Sequence, residues 1–460
     1  MKRRFAEQTV IFISVLKWVA LATIIGAIVG ASTAFFLKIL QWSTSLAGKF
    51  PFYFLSLPVA LFLSAVLVKH LAPDAQGHGT EKVIEAVHKY SGKIKAAVVP
   101  VKLVATVITI AAGGSVGKEG PCAQIGAGLA STFADLLKFN QQDRKKLVIC
   151  GISAGFTAVF GTPIAGAIFG VEVLFVGSLL YDVLLPSFIA GMTGYQVAHG
   201  LGITYFHHPL KFVPVFSEAF FLKVVLAGIF FGLCAFMLIE MLKWSEKISA
   251  KLRIWAPLKG ALGGVLLIIL ALVVSAQYLG LGLNLIEASL RGESIIWYAF
   301  LMKMLFTSIT LSFGGSGGIV TPIFFIGATA GSVSAQILGL DLATFSAIGM
   351  VSLLAGAANA PIAASILSVE LFGPAIAPYA AVACVISFLM TGHRSVYPSQ
   401  ILAVKKSASI QVELGKEMDE VTAEIRPRRK TLARGIWAAS RTVQRKLKNR
   451  PKEDPDEHHH

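Results

Sequence analysis

The feature of this 460-residue chain that most restricts its fold is a duplication. Gly113-Gly114-Ser115-Val116-Gly117-Lys118-Glu119-Gly120-Pro121 lines up with Gly314-Gly315-Ser316-Gly317-Gly318-Ile319-Val320-Thr321-Pro322, 201 positions later. Ile125-Gly126-Ala127 recurs as Ile326-Gly327-Ala328 at the same distance behind the proline. Ala154-Gly155 then matches Ala355-Gly356. After a three-residue gap, Pro163-Ile164-Ala165 with Val171-Glu172 matches Pro361-Ile362-Ala363 with Val369-Glu370. Chance aligns a few glycines in a glycine-rich chain, but not an ordered series of Gly, Ser, Pro, Ile and Glu. The chain therefore divides into two related halves, roughly residues 9–200 and 216–392, each carrying a glycine-rich turn, a proline, a short helix and a VE segment. Sequence by itself leaves open whether the halves are parallel or inverted.

What the halves sit in follows from composition: 55% of residues are hydrophobic and 14% charged, where soluble domains carry nearer a quarter charged. This is the balance of an all-α integral membrane protein. Trp18–Leu37, Gly260–Ile286, Met304–Leu340, Leu342–Val369 and Leu371–Gly392 are uncharged and long enough to cross a hydrocarbon core, which takes about 20 helical residues. Leu147–Val171 and Gly113–Gly128 are broken by glycine and proline into shorter pieces. Irregular backbone at membrane depth is tolerated only where protein or a water-filled cavity covers it, so these breaks are candidates for a pathway. Lys2, Arg3 and Arg4 precede a first apolar segment longer than a signal-peptide core, read here as a retained helix.

The net charge of +16 is concentrated at the far end. Eleven Lys or Arg and no acid lie between Ile425 and Lys452, with Trp437 and Leu447 interleaved. That is the pattern of a cytoplasmic segment facing anionic lipid, not of a nucleic-acid reader. The expected organisation is a transport domain over residues 1–404 and a basic tail over 405–460 ending in a tag-like His458–His460, both termini cytoplasmic at the cell membrane. Cys122, Cys150, Cys234 and Cys384 lie in apolar runs without metal-ligand spacing, and no cofactor motif or catalytic constellation appears, so neither an enzyme nor a metal or cofactor site is expected.

A glycine-rich turn with proline in the first helical turn aims unpaired N–H groups, and the positive end of the helix dipole, at whatever fills the break. Two such ends facing one point replace much of an anion's hydration, with no buried cation expected. Paired breaks at matching positions of two halves point to a midplane substrate site. Gly117-Lys118 is no phosphate loop, because Ala112 stands where its first glycine belongs and Glu119 where Ser or Thr should follow. Glu119 would compete with an anion for the same N–H groups and leave on protonation, a gate with built-in pH sensitivity. Glu172 and Glu370 are expected to be structural hydrogen-bond acceptors.

Gly117-Lys118-Glu119-Gly120-Pro121 resembles the GKEGP or GREGP motif of the CLC family of chloride channels and proton-coupled chloride transporters. Gly318-Ile319-Val320-Thr321-Pro322 resembles its GxFxP motif, with Val320 where Phe is usual. Tyr397 in Ser395-Val396-Tyr397-Pro398-Ser399 is similar to the family's anion-coordinating tyrosine. Gly77-His78-Gly79-Thr80-Glu81 is similar to the first motif, GSGIP, with His78 in place of serine and no proline following. The resemblance spans Trp18 to Ala403. It implies an inverted-repeat bundle of many tilted, partly discontinuous helices, assembled as a homodimer with one anion pathway per subunit, and it identifies Glu119 with the gating glutamate. Ile319, Val320 and Tyr397 would form the central anion site, and the amides near Lys118 to Gly120 the outer one.

The departures bear on mechanism. Val173 stands where proton-coupled members carry a second glutamate, which favours gated passive conduction of chloride or a similar small anion. Proton/chloride exchange, with protons as the second substrate, is the alternative. His78 would donate an N–H like the missing hydroxyl, charge up near neutral pH and strengthen anion binding, or pack beside the pathway without touching the ion.

Overall fold

The computed structural model describes residues 2–210 and 217–425. The basic run and tag-like histidines beyond residue 425 lie outside the described residues. The first half runs α1 (Lys2–Ala47), α2 (Leu57–Leu71), α3 (Thr80–Lys89), α4 (Val98–Ala111), α5 (Glu119–Leu136), α6 (Gln141–Phe160), α7 (Pro163–Glu172) and α8 (Tyr181–Gly200). The second runs α9 (Glu218–Lys251), α10 (Ala256–Val273), α11 (Leu283–Leu290), α12 (Ala299–Ser312), α13 (Val320–Leu338), α14 (Leu342–Ala358), α15 (Pro361–Phe372) and α16 (Ala377–Met390). The helices correspond one to one. Among the described residues, five helical segments, including most of α1, α9, α10 and α13, are long and apolar enough to cross a membrane.

The helix directions show that the repeat is inverted. Lys17 pairs with Asp143 at the start of α6 at 2.7 Å, Arg144 with Asp135 at the end of α5 at 2.6 Å, and Ser91, just past α3, with Gln141 at 3.3 Å. Lys89 reaches Glu417 at 3.0 Å, and Lys243 near the end of α9 reaches Asp419 at 3.6 Å. These contacts put the early part of α1, the end of α5 and the C-terminal segment on one side. Near the start of α9, Lys223 donates to the Leu338 carbonyl at the end of α13, 3.0 Å away. Twenty residues of α9 separate Lys223 from Lys243, about 30 Å of helix rise and the thickness of the hydrocarbon core. The helices α5 and α13 therefore run in opposite directions, with their N-termini meeting between the two faces.

Three of the uncharged stretches that looked long enough to span are divided. Within Gly260–Ile286, α10 stops at Val273 and Gly282 turns at φ +72°. Gly314, at φ +109°, turns the chain between α12 and α13. Asn359, in the left-handed region at φ +55°, ends α14 before Pro361 starts α15. In the fourth, Gly373 at φ +94° leaves α16 only 14 residues long. Hydropathy does not register these turns, because glycine and alanine read as apolar wherever the backbone bends.

The three-residue gap also lies elsewhere than the sequence match implies. Asn140 caps α6 through Asp143 N–H (2.8 Å), and Asp341 caps α14 through Thr344 N–H (2.7 Å), at the original offset. A Cβ on Gly126 would strike the Gly151 carbonyl, and one on Gly327 the Gly349 carbonyl, so Gly151 pairs with Gly349 and the shift has already occurred. The deletion falls in the first turns of α14. Ala154-Gly155 and Ala355-Gly356 are not equivalent: Gly155 faces Cys122, and Gly356 faces Ser387 and Thr391.

The VE glutamates tie the halves together by exchange. The Glu172 carboxylate accepts from Ile362 N–H (3.0 Å) and Ala363 N–H (2.7 Å) at the start of α15. Glu370 accepts from Ile164 N–H (3.0 Å) and Ala165 N–H (2.8 Å) at the start of α7. Each carboxylate satisfies the open donors of the other repeat's helix and meets its positive dipole end. Behind α7, β1 (Phe175–Val176) pairs in parallel with β2 (Ile401–Leu402), and β3 (Ile410–Gln411) pairs antiparallel with β4 (Glu424–Ile425).

Glu172 is buried and Glu370 half-buried. Glu172→Ala is expected to lose about 2 kcal/mol by stranding two buried donors, and Glu370→Ala less. Thermal melts of the purified protein in detergent check this; an unaltered melt for Glu172→Ala would show that the exchange adds no stability.

Candidate functional site

The turns before α5 and α13 meet back to back. Gly117 N–H donates to the Gly318 carbonyl (2.7 Å), and Gly318 N–H to the Gly117 carbonyl (2.6 Å). Hydroxyls repeat the exchange on both sides. Ser115 N–H donates to Thr310 Oγ1 and Ser316 N–H to Thr109 Oγ1, each at 3.1 Å. Ser115 Oγ lies 3.1 Å from Thr307 Oγ1, and Thr106 Oγ1 lies 3.2 Å from Ser316 Oγ. A Cβ on Gly117 would come within 2.6 Å of a Glu119 carboxylate oxygen and 2.9 Å of the Thr321 nitrogen, so only glycine fits there.

Glu119 opens α5 and is 1% exposed. Its carboxylate crosses to the other repeat. Oε2 accepts from Thr321 N–H at 3.1 Å, and the Thr321 hydroxyl donates, 2.6 Å from Oε1 and 2.7 Å from Oε2. No Lys or Arg lies within ion-pair distance of it among the described residues. The start of α13 supplies the positive potential instead.

Ile319 is the N-cap residue of α13 and Val320 its first residue, both buried beside that carboxylate; Lys118 is the N-cap residue of α5. Gly120 backs onto the His78 carbonyl, and Gly79 onto Gly120. The His78 ring lies 6.1 Å from that of Tyr397, and its Nδ1 is buried without a partner. Tyr397 is fully buried, its N–H bonded to Ser395 Oγ (2.9 Å); Thr80 flanks its hydroxyl, which makes no hydrogen bond of ordinary geometry. His78, Glu119, Gly120, Ile319, Val320 and Tyr397 thus converge. Val173 ends α7 nearby. Its carbonyl accepts from Gln400 Nε2 (2.8 Å), which also donates to Ala358 O (2.8 Å) and so fixes the Tyr397 loop.

Two elements of the site escaped sequence reading. Thr321 occupies the place of Gly120 in the second repeat, and the mismatch between the turns was the signal for it. The other element contradicts the expectation of no buried cation: Lys102 on α4 and Lys303 on α12 are fully buried, at the repeat offset. Lys102 Nζ donates to the carbonyls of Ala75 (3.1 Å) and Gly77 (2.6 Å), and Lys303 Nζ to those of Tyr278 (3.1 Å) and Gly280 (2.7 Å). They brace a pair of GxG turns, Gly77-His78-Gly79 and Gly280-Leu281-Gly282. A lone lysine in each of two otherwise uncharged helices was the available signal.

A cavity of about 900 Å³ leads to His78, Gly315, Ser316 and Ser395 from the side of the C-terminal segment. Lys69, Lys82, Lys243 and Lys259 line it together with Glu81 and Glu85. The cavity thus opens toward His78 and the loop around Tyr397 from that side, with charges of both signs along the way.

The family profile described as voltage gated chloride channel matches residues 60–392. The chain belongs to the CLC family. It is 36% identical over 406 residues to the "Chloride/fluoride channel protein" of Pseudomonas syringae pv. tomato, covering 87% of this chain and 89% of that one. It is 25% identical over 385 residues to the "H(+)/Cl(-) exchange transporter ClcA" of Klebsiella pneumoniae, covering 76% of this chain and 80% of that one. Among solved structures, a "CLC-type fluoride/proton antiporter" superposes with a TM-score of 0.80 at 29% identity, over 84% of this chain and 98% of the other. This CLC protein is a multi-pass membrane anion transporter.

Thr321→Val keeps the N–H donor but removes the hydroxyl that holds Glu119. Anion flux near neutral pH is expected to rise about tenfold, the loss of one hydrogen bond to a charged group, with Thr321→Ser near wild type. Flux from proteoliposomes checks this; equal flux for Val and Thr would mean the hydroxyl does not restrain the carboxylate.

Proposed function

We propose that this protein exchanges protons for a small halide, fluoride or chloride, with Glu119 both closing the anion route and carrying the proton. The observation that carries this reading is the Glu119 carboxylate seated on Thr321 N–H and hydroxyl, at the helix start where an anion would bind. Carboxylate and halide compete for the same donors. Protonation removes the charge that holds Glu119 there, so release of the site and uptake of a proton are one event. Ile319, Val320 and Tyr397 would meet the halide after Glu119 leaves, and the amides from Lys118 to Gly120 would hold it on the outer side. Relatives named for fluoride and chloride support this substrate class; one of them is named a channel, while an exchange transporter and a fluoride/proton antiporter among them favour coupled exchange as the first reading. His78 Nδ1, buried and unpartnered, is a further donor for a small, strongly hydrated anion. The cavity side is assigned to the cytoplasm, because the basic run follows the C-terminal strands and such runs stay inside.

Val173 supports a second reading, uncoupled gated conduction, since valine carries no proton. Proteoliposomes given an outward fluoride or chloride gradient separate the two. Exchange predicts proton uptake that continues uphill while halide leaves; halide efflux without it would establish conduction. In Glu119→Ala, proton movement is expected to fall at least about tenfold and the pH dependence of halide flux to flatten, because no titrating group remains at the helix start. Persistent proton coupling in that variant would remove Glu119 from the mechanism.

A further inference from the structure

Exchange requires that a proton on Glu119 reach water on the cavity side, and α7 offers Val173 there. The opposite wall of the site carries a carboxylate. Glu81 is the second residue of α3, three positions past His78, and it lines the cavity. Its Oε1 accepts from Ser399 N–H (3.0 Å) and from the Ser399 hydroxyl (2.5 Å), two residues beyond Tyr397. Its Oε2 is buried and has no hydrogen-bond partner. A buried carboxylate oxygen without a donor is poorly compensated as an anion and gains on taking up a proton.

The surrounding charges leave Glu81 uncommitted. Lys82 pairs with Glu85 at 2.7 Å, and Lys102 is taken up by the carbonyls of Ala75 and Gly77. The cavity acids Glu417 and Asp419 pair with Lys89 and Lys243, and Lys259 donates to the Ser249 carbonyl at 2.7 Å. Lys69 and Glu246 face the cavity from α2 and α9. The ring of His78 and the Tyr397 hydroxyl lie on the site side, and Tyr397 stands close to both Glu81 and Glu119. Tyr397 thus neighbours two carboxylates, Glu119 at the helix start and Glu81 at the cavity.

We infer that Glu81 is the cavity-side proton acceptor of this transporter, in the role that Val173 cannot fill. The inference rests on proton-coupled exchange. In the step, the O–H bond of the Glu119 carboxyl breaks and one forms on Glu81 Oε2, through water in the site or through the Tyr397 hydroxyl, which gives up one proton as it takes another. Release to cavity water restores the Glu81 carboxylate. One proton moves and nothing is oxidised or reduced.

The test compares wild type, Glu81→Gln and Glu81→Asp in proteoliposomes under a fluoride or chloride gradient, recording halide and pH together. Gln preserves an acceptor for both Ser399 bonds but cannot carry a proton. The ratio of protons to halide is expected to fall about tenfold in Glu81→Gln and to recover in Glu81→Asp, a difference of about 1.4 kcal/mol in the barrier to proton transfer. An unchanged ratio in Glu81→Gln, with wild type coupled, overturns this inference and leaves exchange standing. A wild type that moves halide without protons overturns both. Should Glu81→Gln not assemble, Ser399→Ala retains the carboxylate and removes the side-chain donor that favours its anion. The midpoint of the cavity-side pH dependence of proton flux then moves to higher pH, and an unmoved midpoint overturns the inference.

Discussion

Two helix N-termini held face to face inside a membrane are the constraint on which the rest of this structure depends. Each carries about half a positive charge and open N–H groups, so bringing α5 and α13 together is unfavourable without an anion between them. The reciprocal Gly117–Gly318 bonds fix their approach at the level of the backbone. Glu119 supplies the missing negative charge from within the chain. The tethered carboxylate thus occupies the place between the helix starts, and in the proposed mechanism a mobile anion takes that place when Glu119 leaves it.

Holding such an arrangement rigid requires that other open ends be satisfied far from water, and the inverted repeat does so by exchange. Glu172 closes the start of α15 and Glu370 the start of α7. Lys102 and Lys303 each absorb two carbonyls of a bend whose backbone would otherwise be stranded in an apolar surround. The swapped carboxylates and hydroxyls join one repeat to the other, so neither half is complete without its partner. This explains how a chain with few charges places several of them at membrane depth: most terminate backbone that has been broken to make the site.

Much of this was legible in sequence, and what was not has a physical reason. The duplication is visible as Gly and Pro at a fixed offset, with the VE glutamates three residues short of it, because backbone geometry at a turn tolerates few residue types. The turns dividing the long uncharged stretches were hidden, since hydropathy scores composition rather than conformation and Gly314 or Asn359 leaves little trace in it. The deletion in α14 was misplaced because a chance Ala-Gly pair survived near it, while the contact that fixes equivalence, Gly327 against Gly349, involves atoms that sequence does not pair. Lys102 and Lys303 run against the expectation of no buried cation, since their partners are main-chain carbonyls with no signature of their own. Thr321 was read as part of a motif, and only the fold shows it reaching across to Glu119.

The same comparison explains why function concentrates where it does. Along the paired turns, Gly117 and Gly318 are identical and make identical bonds, and Ser115 and Ser316 do likewise. The next three positions are not equivalent: Lys118 faces Ile319 in the alignment, Glu119 faces Val320, and Gly120 faces Thr321. A strictly symmetric site would place either two carboxylates or none at the junction. Two would repel each other in a low dielectric, and none would leave the positive ends uncompensated. One carboxylate against one hydroxyl is the arrangement that neutralises the junction and still lets the charge be removed by a single proton. The fold comes from the symmetry of the repeats, whereas the proposed gate rests on these three positions, where the helix starts of the two repeats differ.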